Sequence, residues 1–332
     1  MKIKNELFIK EYCNAYAIIG GQGIIHIYDN DKIFIEYTSK RKVGKNYYDV
    51  PSIASNEIYG GYVDEEVVYI GFCRGHWGHF MIDSTVRMWA LLEEKCRNKK
   101  ILINIEGMND FYYKWFEYLG IDKEHIIELK ENRQYKKILV PDISYKIGEY
   151  ISDRFAAVFE YVAQNIHKDL PVYNKIYLSR SHFSQKNKLK QLGEKYIQNI
   201  FEKNGYKVLY PEELSFEEQL WYYNHCYSMV TTNGTIAHNV LFMRNNTELI
   251  ILHRFYEESM HQPNIGMVKN IKVIDIDAFY KNSTHDKTLM ILTDDLKGFL
   301  KSRNYHYTKD WNRLLKYLLF KVPFLYRIID QY

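Results

Sequence analysis

The chain's second half alternates short apolar runs with helix-forming segments, and this alternation constrains the fold more than any other feature. "NKIYLSR" (174–180), "YKVLYP", "YSMVTT" and "TELIILHR" each read as a strand. Helical patterns separate them: residues 190–204, a segment opening at Ser215, and "TIAHNVLFMR" after the Asn233-Gly234 turn. Ser215 followed three residues later by Glu218 is a capping-box signature. Parallel strands need crossovers of this kind, so the pattern predicts an α/β layer with a doubly wound parallel sheet. The first half repeats the theme less cleanly. A hairpin is expected from Ile24–Tyr28 and Ile33–Tyr37 around Asp29-Asn30-Asp31, then a strand over 65–72 and a helix from about Trp77 to Glu94. A strand over 99–106, a helix over 109–120 and two short strands, "EHIIEL" and "KKILVP", follow. A helix over 150–168 ends before Pro171, which marks the expected domain boundary.

The 332 residues are enough for two domains. The expected division is 1–168, 169–284 and a helical tail, 285–332. A net charge of +4 is too weak to imply nucleic acid as a partner. The four cysteines form no CxxC pair, which fits reduced thiols rather than a zinc or disulfide framework. The N-terminus has no long apolar core, so no signal peptide is expected. No segment approaches the ~20 apolar residues of a membrane span. These features together point to a cytoplasmic protein.

Three constellations carry candidate chemistry. In "GFCRGHWGHFMIDSTVRMWALLEE", His76, His79, Asp83 and Arg87 fall within an arc of about 80° at 100° per residue. They therefore share one helix face just beyond a strand, where open α/β sheets bind ligands. A His with an Asp four residues on suits general-base work, since a carboxylate fixes the tautomer and raises the basicity of the ring. A metal set of Cys73, His76, His79 and Asp83 matches no standard zinc spacing, and no metal is expected. The second constellation is the helix start at Gly234 and Thr235, with His238 and Asn239 one turn in. Free N–H groups there favour a phosphate. The third is Arg180 at a strand end, followed by Lys186, Lys188 and Lys190, cations able to hold a diphosphate.

Together these pieces resemble glycosyltransferase family 61 over roughly residues 20–255. The matching motifs are "HFMIDSTVR" with His79, Asp83 and Arg87, Ser179-Arg180 at a strand end, "PEELSFEEQ" (211–219) and "GTIAHNVLFM". The resemblance implies a GT-B fold, two Rossmann-like domains facing a central cleft. It implies a nucleotide-sugar donor, UDP-linked, on the C-terminal domain and inverting, metal-independent transfer with no cofactor. Asp83 and His79 are then the catalytic candidates. Either Asp83 is the base or it orients His79; the sequence leaves both open. His76 and Arg87 fall on the acceptor side. Arg180, Lys186, Gly234, Thr235, His238 and Asn239 fall at the donor diphosphate. Glu218 is placed either on the nucleotide ribose or in the capping box. The chain departs from the family at Gly193-Glu194, where an Asn-Glu pair is usual, and at His238, where a small polar residue is usual. Extension of a bacterial capsule or lipopolysaccharide glycan is the expected role. A sugar-phosphate transferase and a catalytically degenerate scaffold are the alternatives.

The tail, "WNRLLKYLLFKVPFLYRII" (311–329), carries basic residues and no acid. It is expected either to lie in an anionic membrane interface, at the inner face of the plasma membrane beside a lipid-linked acceptor, or to return as a helix to the N-terminal domain.

Overall fold

The computed structural model describes residues 1–20, 24–35, 40–43, 46–49, 53–106, 110–182, 190–308 and 313–321. The chain forms two compact units, Met1–Asn165 and Ile166–Tyr332, and is a mixed α/β protein with parallel sheets.

The first unit is built on a six-stranded sheet. Its strands are β1 (Ile9–Ile19), β2 (Ile25–Tyr28), β3 (Gly61–Arg74), β4 (Lys100–Glu106), β5 (Ile126–Glu128) and β6 (Arg133–Pro141), in the order β2-β1-β6-β3-β4-β5. β3 runs parallel to both β4 and β6, and β4 parallel to β5. The strand order therefore reverses at β3, with β4 and β5 added on one side and β6 on the other. The space beyond the carboxyl ends of β3 and β6 is a topological switch point, where open α/β sheets take their ligands. The sheet is less parallel than the sequence predicts, because β1 pairs antiparallel with both β2 and β6. β1 is hard to see in the sequence: polar and charged residues fill its exposed face, and Asn14 adopts a left-handed conformation (φ 51°) inside it. Of the hairpin's second limb, Phe34 bridges Tyr28, while Glu36 and Tyr37 lie outside the described residues. Ala17, Ile27, Val67, Leu102 and Ile138 form the core of one face. Helices α1 (Asp110–Tyr118) and α2 (Asp153–Gln164) complete the unit, α2 capped by the Ser152 hydroxyl.

The second unit has a five-stranded, all-parallel sheet of β7 (Lys175–Leu178), β9 (Lys207–Leu209), β10 (Ser228–Thr232), β11 (Glu248–His253) and β12 (Lys272–Asp277). The order is β9-β7-β10-β11-β12, a doubly wound topology whose switch point lies between β7 and β10. β10 and β11 are buried at every residue, as expected of strands covered on both faces. Tyr177, Phe201, Val230, Ile250 and Leu296 lie in this core.

The helix expected over 190–204 is in part a strand. Lys190–Leu192 is β8, which pairs parallel with β13 (Lys287–Leu289), and α3 begins only at Glu194. Gly193 makes the break. Its φ is 82°, and a Cβ there would lie 2.2 Å from the Met290 carbonyl oxygen, so only glycine fits. Helix α4 (Phe216–His225) carries the expected capping box, α5 spans Gln262–Lys269, and α6 (Asp294–Ser302) is capped by Thr293. The described part of the tail is helix α7 (Arg313–Lys321). Phe320 joins a cluster with Leu192, Leu289 and Ile291, and Lys316 is buried over the Tyr196 ring. These contacts are with residues of its own unit. Residues 322–329 lie outside the described residues.

Candidate active site

In the first unit the chain leaves β3 and turns at once. The Phe80 N–H donates to the His76 carbonyl at 2.8 Å. The expected α-helix from Trp77 to Glu94 is instead one α turn (Trp77–His79), a π turn (Phe80–Ser84) and a 3₁₀ segment (Thr85–Leu92). Two local causes are visible. Phe80, Met81 and Ile82 are buried in succession, more than one α face accommodates, and Phe80 packs edge-on against Tyr112 and Trp115. The hydroxyls also compete for backbone groups: Thr85 Oγ1 donates to the Met81 carbonyl at 2.7 Å, and Ser84 Oγ accepts the Arg74 N–H at 3.1 Å.

The altered winding splits the four predicted residues. His79 Nδ1 and Asp83 Oδ2 lie 3.0 Å apart, and the His76 ring centroid lies 5.1 Å from that of His79. Both histidines are exposed and Asp83 is half-buried. Arg87 turns inward. Its Nε donates to the Pro141 carbonyl at 3.1 Å, and its guanidinium covers the Tyr69 ring at 5.2 Å. In a 3₁₀ segment residues three apart eclipse, so Arg87 falls in line with the buried Ser84, where a continuous α-helix would place it about 40° from Asp83. It therefore ties the segment to the end of β6 instead of facing solvent beside the dyad. Cys73 is buried, and burial pushes its thiol up to about 12, which disfavours the thiolate a metal would need. Among the described residues, the potential ligands that gather are Asp122, Glu124 and His125, in the turn before β5.

In the second unit, Leu178 and Thr231 are register partners, so Ser179-Arg180 and Asn233-Gly234 leave adjacent strand ends at the switch point. The Arg180 N–H donates to Glu194 Oε1 at 2.9 Å, and the Gln191 amide donates to Glu194 Oε2. Gln191 Oε1 accepts from Arg254 Nη1 at 2.8 Å, and Arg254 Nη2 donates to the Asn233 carbonyl at 2.9 Å. Asn233 Oδ1 accepts the Arg254 N–H at 3.1 Å, and its Nδ2 donates to Glu257 at 3.0 Å. Arg254 is 8% exposed. Burial first and the charge of Arg180 second lower its pKa to about 10, against the pull of Glu194 and Glu257. Arg180 is lowered chiefly by burial, with Glu194 and Glu212 opposing. Arg254 thus lies within reach of the Arg180 charge at the carboxyl end of a parallel sheet, a setting that suits an anion.

Gly234 opens a 3₁₀ helix, Thr235–Phe242, at φ 108°; a Cβ there would come 3.5 Å from Arg254 Nη2. Gly234, Thr235 and His238 line a pocket of ≈ 240 Å³. His238 Nδ1 accepts from the Gln262 amide at 2.9 Å. Asn239 is buried and does not line this pocket. Glu218 is engaged in the capping box: its Oε2 accepts the Ser215 N–H at 2.8 Å, and the Glu218 N–H donates to Ser215 Oγ at 3.2 Å. Lys186 and Lys188 lie outside the described residues. Sequence reasoning missed Arg254, Glu194, Gln191 and Asn233. The available signal was position alone, since Arg254 follows β11, the neighbour of β10, and Glu194 opens the helix after β7 and β8, and neither strand pairing is written in the local sequence.

The family model for glycosyltransferase 61 matches residues 77–250, just over half of the chain. The chain belongs to glycosyltransferase family 61. No curated relative matches it. The matched span starts at the His79–Asp83 segment and ends inside β11, so it takes in both strand ends of the second unit's switch point. A member of this family is a glycosyltransferase, which takes a sugar from a donor, in general a nucleotide sugar, and places it on a glycan acceptor. Arg254 and the far wall of the pocket fall beyond the matched span. Among the described residues, no helix is long and apolar enough to cross a membrane.

Proposed function

We propose that the chain is an inverting, metal-independent glycosyltransferase of GT-B type that uses a nucleoside diphosphate sugar. The observation carrying this reading is a buried Arg254 that lies against Gly234 and feels the charge of Arg180, all three following strand ends about the second unit's switch point. When the anomeric C–O bond breaks, its electron pair leaves on the diphosphate. Two guanidinium groups and the N–H groups at the Gly234 turn stabilise that charge, the role a divalent ion would otherwise fill. The acceptor hydroxyl must lose a proton as its oxygen attacks the anomeric carbon. The His79–Asp83 pair supplies the base, with the Asp83 carboxylate 3.0 Å from the ring it orients. Attack opposite the leaving group inverts the anomeric configuration.

The acceptor is proposed as a bacterial surface glycan carried at the cytoplasmic face of the membrane. Support for that location is the basic, acid-free run 311–329. The deciding experiment is diphosphate and nucleoside binding to wild type and Arg180→Ala. Diphosphate affinity should fall far more than nucleoside affinity. Equal losses, or transfer abolished by EDTA and restored by manganese or magnesium, would overturn the reading.

A further inference from the structure

The pocket beside Gly234 has a chemistry of its own. At ≈ 240 Å³ it is smaller than the ~300–1,000 Å³ that enclose a drug-sized ligand. It therefore receives one ring of a donor, and the composition of its wall tells which. Two carboxylates, Glu257 and Glu258, line it together with His238, His253 and Ser259. A nucleobase offers flat faces and few N–H donors, and it is gripped by apolar or aromatic planes. A sugar offers hydroxyls in several directions, each able to donate to a carboxylate.

The wall is also held in place from behind. His253 is 5% exposed, and its Nε2 lies 2.7 Å from Asp275 Oδ1. Ser259 Oγ donates to the same oxygen at 2.5 Å. Burial pushes the Asp275 carboxyl up, but the bonds from His253 and Ser259 outweigh it and keep it below the usual carboxylate range. An ionised Asp275 holds the His253 proton on Nε2 and leaves Nδ1 as an acceptor. The Gln262 amide donates to His238 Nδ1, so His238 carries its proton on Nε2, as a donor. Every one of these residues except His238 lies after residue 250, outside the family match.

We propose that this pocket is the subsite for the transferred sugar and that it selects an uncharged, hydroxyl-rich hexose, with Glu257, His253 and His238 reading its hydroxyls. The inference rests on the donor reading above. The anomeric carbon is one oxygen from the diphosphate, so the sugar subsite must adjoin the phosphate subsite. It does so through Asn233 and Gly234, which line the pocket while Arg254 bonds the Asn233 carbonyl. A sugar carboxylate would meet two carboxylates already on the wall, so uronic acid donors are excluded by like charge.

The test measures affinity for UDP, GDP and dTDP, alone and as their glucose esters, and for UDP-galactose, UDP-N-acetylglucosamine and UDP-glucuronate. The proteins are wild type, His253→Ala and Glu257→Gln. The expected result is that at least one neutral sugar nucleotide binds more tightly than its parent diphosphate, and that UDP-glucuronate binds more weakly than UDP. Each substitution should weaken the neutral sugar nucleotide about 10-fold or more, the worth of a hydrogen bond to a charged or oriented group, and weaken the parent diphosphate distinctly less. Glu257→Gln is exposed and provides a folded variant should His253→Ala fail to fold. If no nucleoside diphosphate binds at all, the donor reading itself is wrong. If diphosphates bind but the sugar adds nothing, or UDP-glucuronate binds best, or the variants weaken diphosphate and sugar nucleotide alike, the sugar-subsite inference is overturned while the donor reading stands.

Discussion

At the end of β3, the two candidate side chains are four residues apart and bond each other directly, His79 to Asp83. At the ends of β7 and β10, Arg180, Gln191, Glu194, Asn233 and Arg254 come from four separate stretches of chain, joined by bonds that span up to 63 residues. The first arrangement is local and exposed. It needs only one helical turn and a firm floor, which Phe80 and Met81 provide. The second is non-local and mostly buried, and each member depends on the others for its polar partners. Local sites can be altered with little effect on the fold, whereas an interlocked buried network cannot. The same contrast suits the proposed roles. A base must reach an acceptor and release a proton, so it is exposed. A diphosphate site gains strength from a dry, preorganised field.

The largest effect that would break the comparison belongs to the local site. Asp83→Asn keeps size and hydrogen bonding but removes the charge, and should lower turnover by about 10²–10⁴ with donor affinity near wild type. His79→Ala should act the same way. Steady-state kinetics beside a donor titration checks both, and two folded variants with wild-type turnover would reduce the His79–Asp83 face to a solvated surface. In the buried network the first loss should be stability. Arg254→Ala leaves Gln191 Oε1 and the Asn233 carbonyl without the donor they share, and should cost about 1–3 kcal/mol by chemical denaturation as well as weaken diphosphate binding. Arg180→Ala, half-buried at the rim, should weaken diphosphate binding with a smaller loss of stability. Equal stability losses for the two arginines would show that the network is not centred on Arg254.

Acid sharpens the contrast further. His26 in β2 is fully buried, and neither ring nitrogen has a hydrogen-bond partner among the described residues. Burial lowers its pKa below the usual value. Below about pH 6.5 the unfolded chain gains a proton that the folded protein refuses, so stability falls with falling pH, by up to ~1.4 kcal/mol per pH unit. His26→Phe should flatten that slope in denaturation curves taken from pH 7.5 to 5; an unchanged slope would place the acid sensitivity elsewhere. The smallest effect concerns Glu218. Ser215→Ala removes one half of the capping box and should cost about 1 kcal/mol without changing nucleotide affinity. A loss of nucleotide affinity would return Glu218 to the ribose.

The strand–helix alternation of both units is legible in the sequence because it rests on local apolar patterning, and the capping box at Ser215 for the same reason. The contact between His79 and Asp83 is equally readable, since the α and π turns that hold them both keep residues four apart on one face. Arg87 shows the limit. Its placement depends on whether the winding is α or 3₁₀, and that was settled by three consecutive buried residues and two hydroxyls whose partners are visible only in the fold. β1 was missed because its long partner, β6, lies up to 132 residues away and its exposed face is polar and charged. The turn at Gly193 was missed because what forbids a side chain there is the carbonyl of Met290. Arg180 and Gly234 are marked in the sequence by their strand ends, but nothing local marks Arg254 or Glu194. Periodicity and caps are properties of neighbouring residues, so the sequence alone determined the elements and the order in which they occur. Which strand ends lie side by side, and so which charges must share one buried place, follows from strand pairing across the chain, and only the tertiary structure decided it.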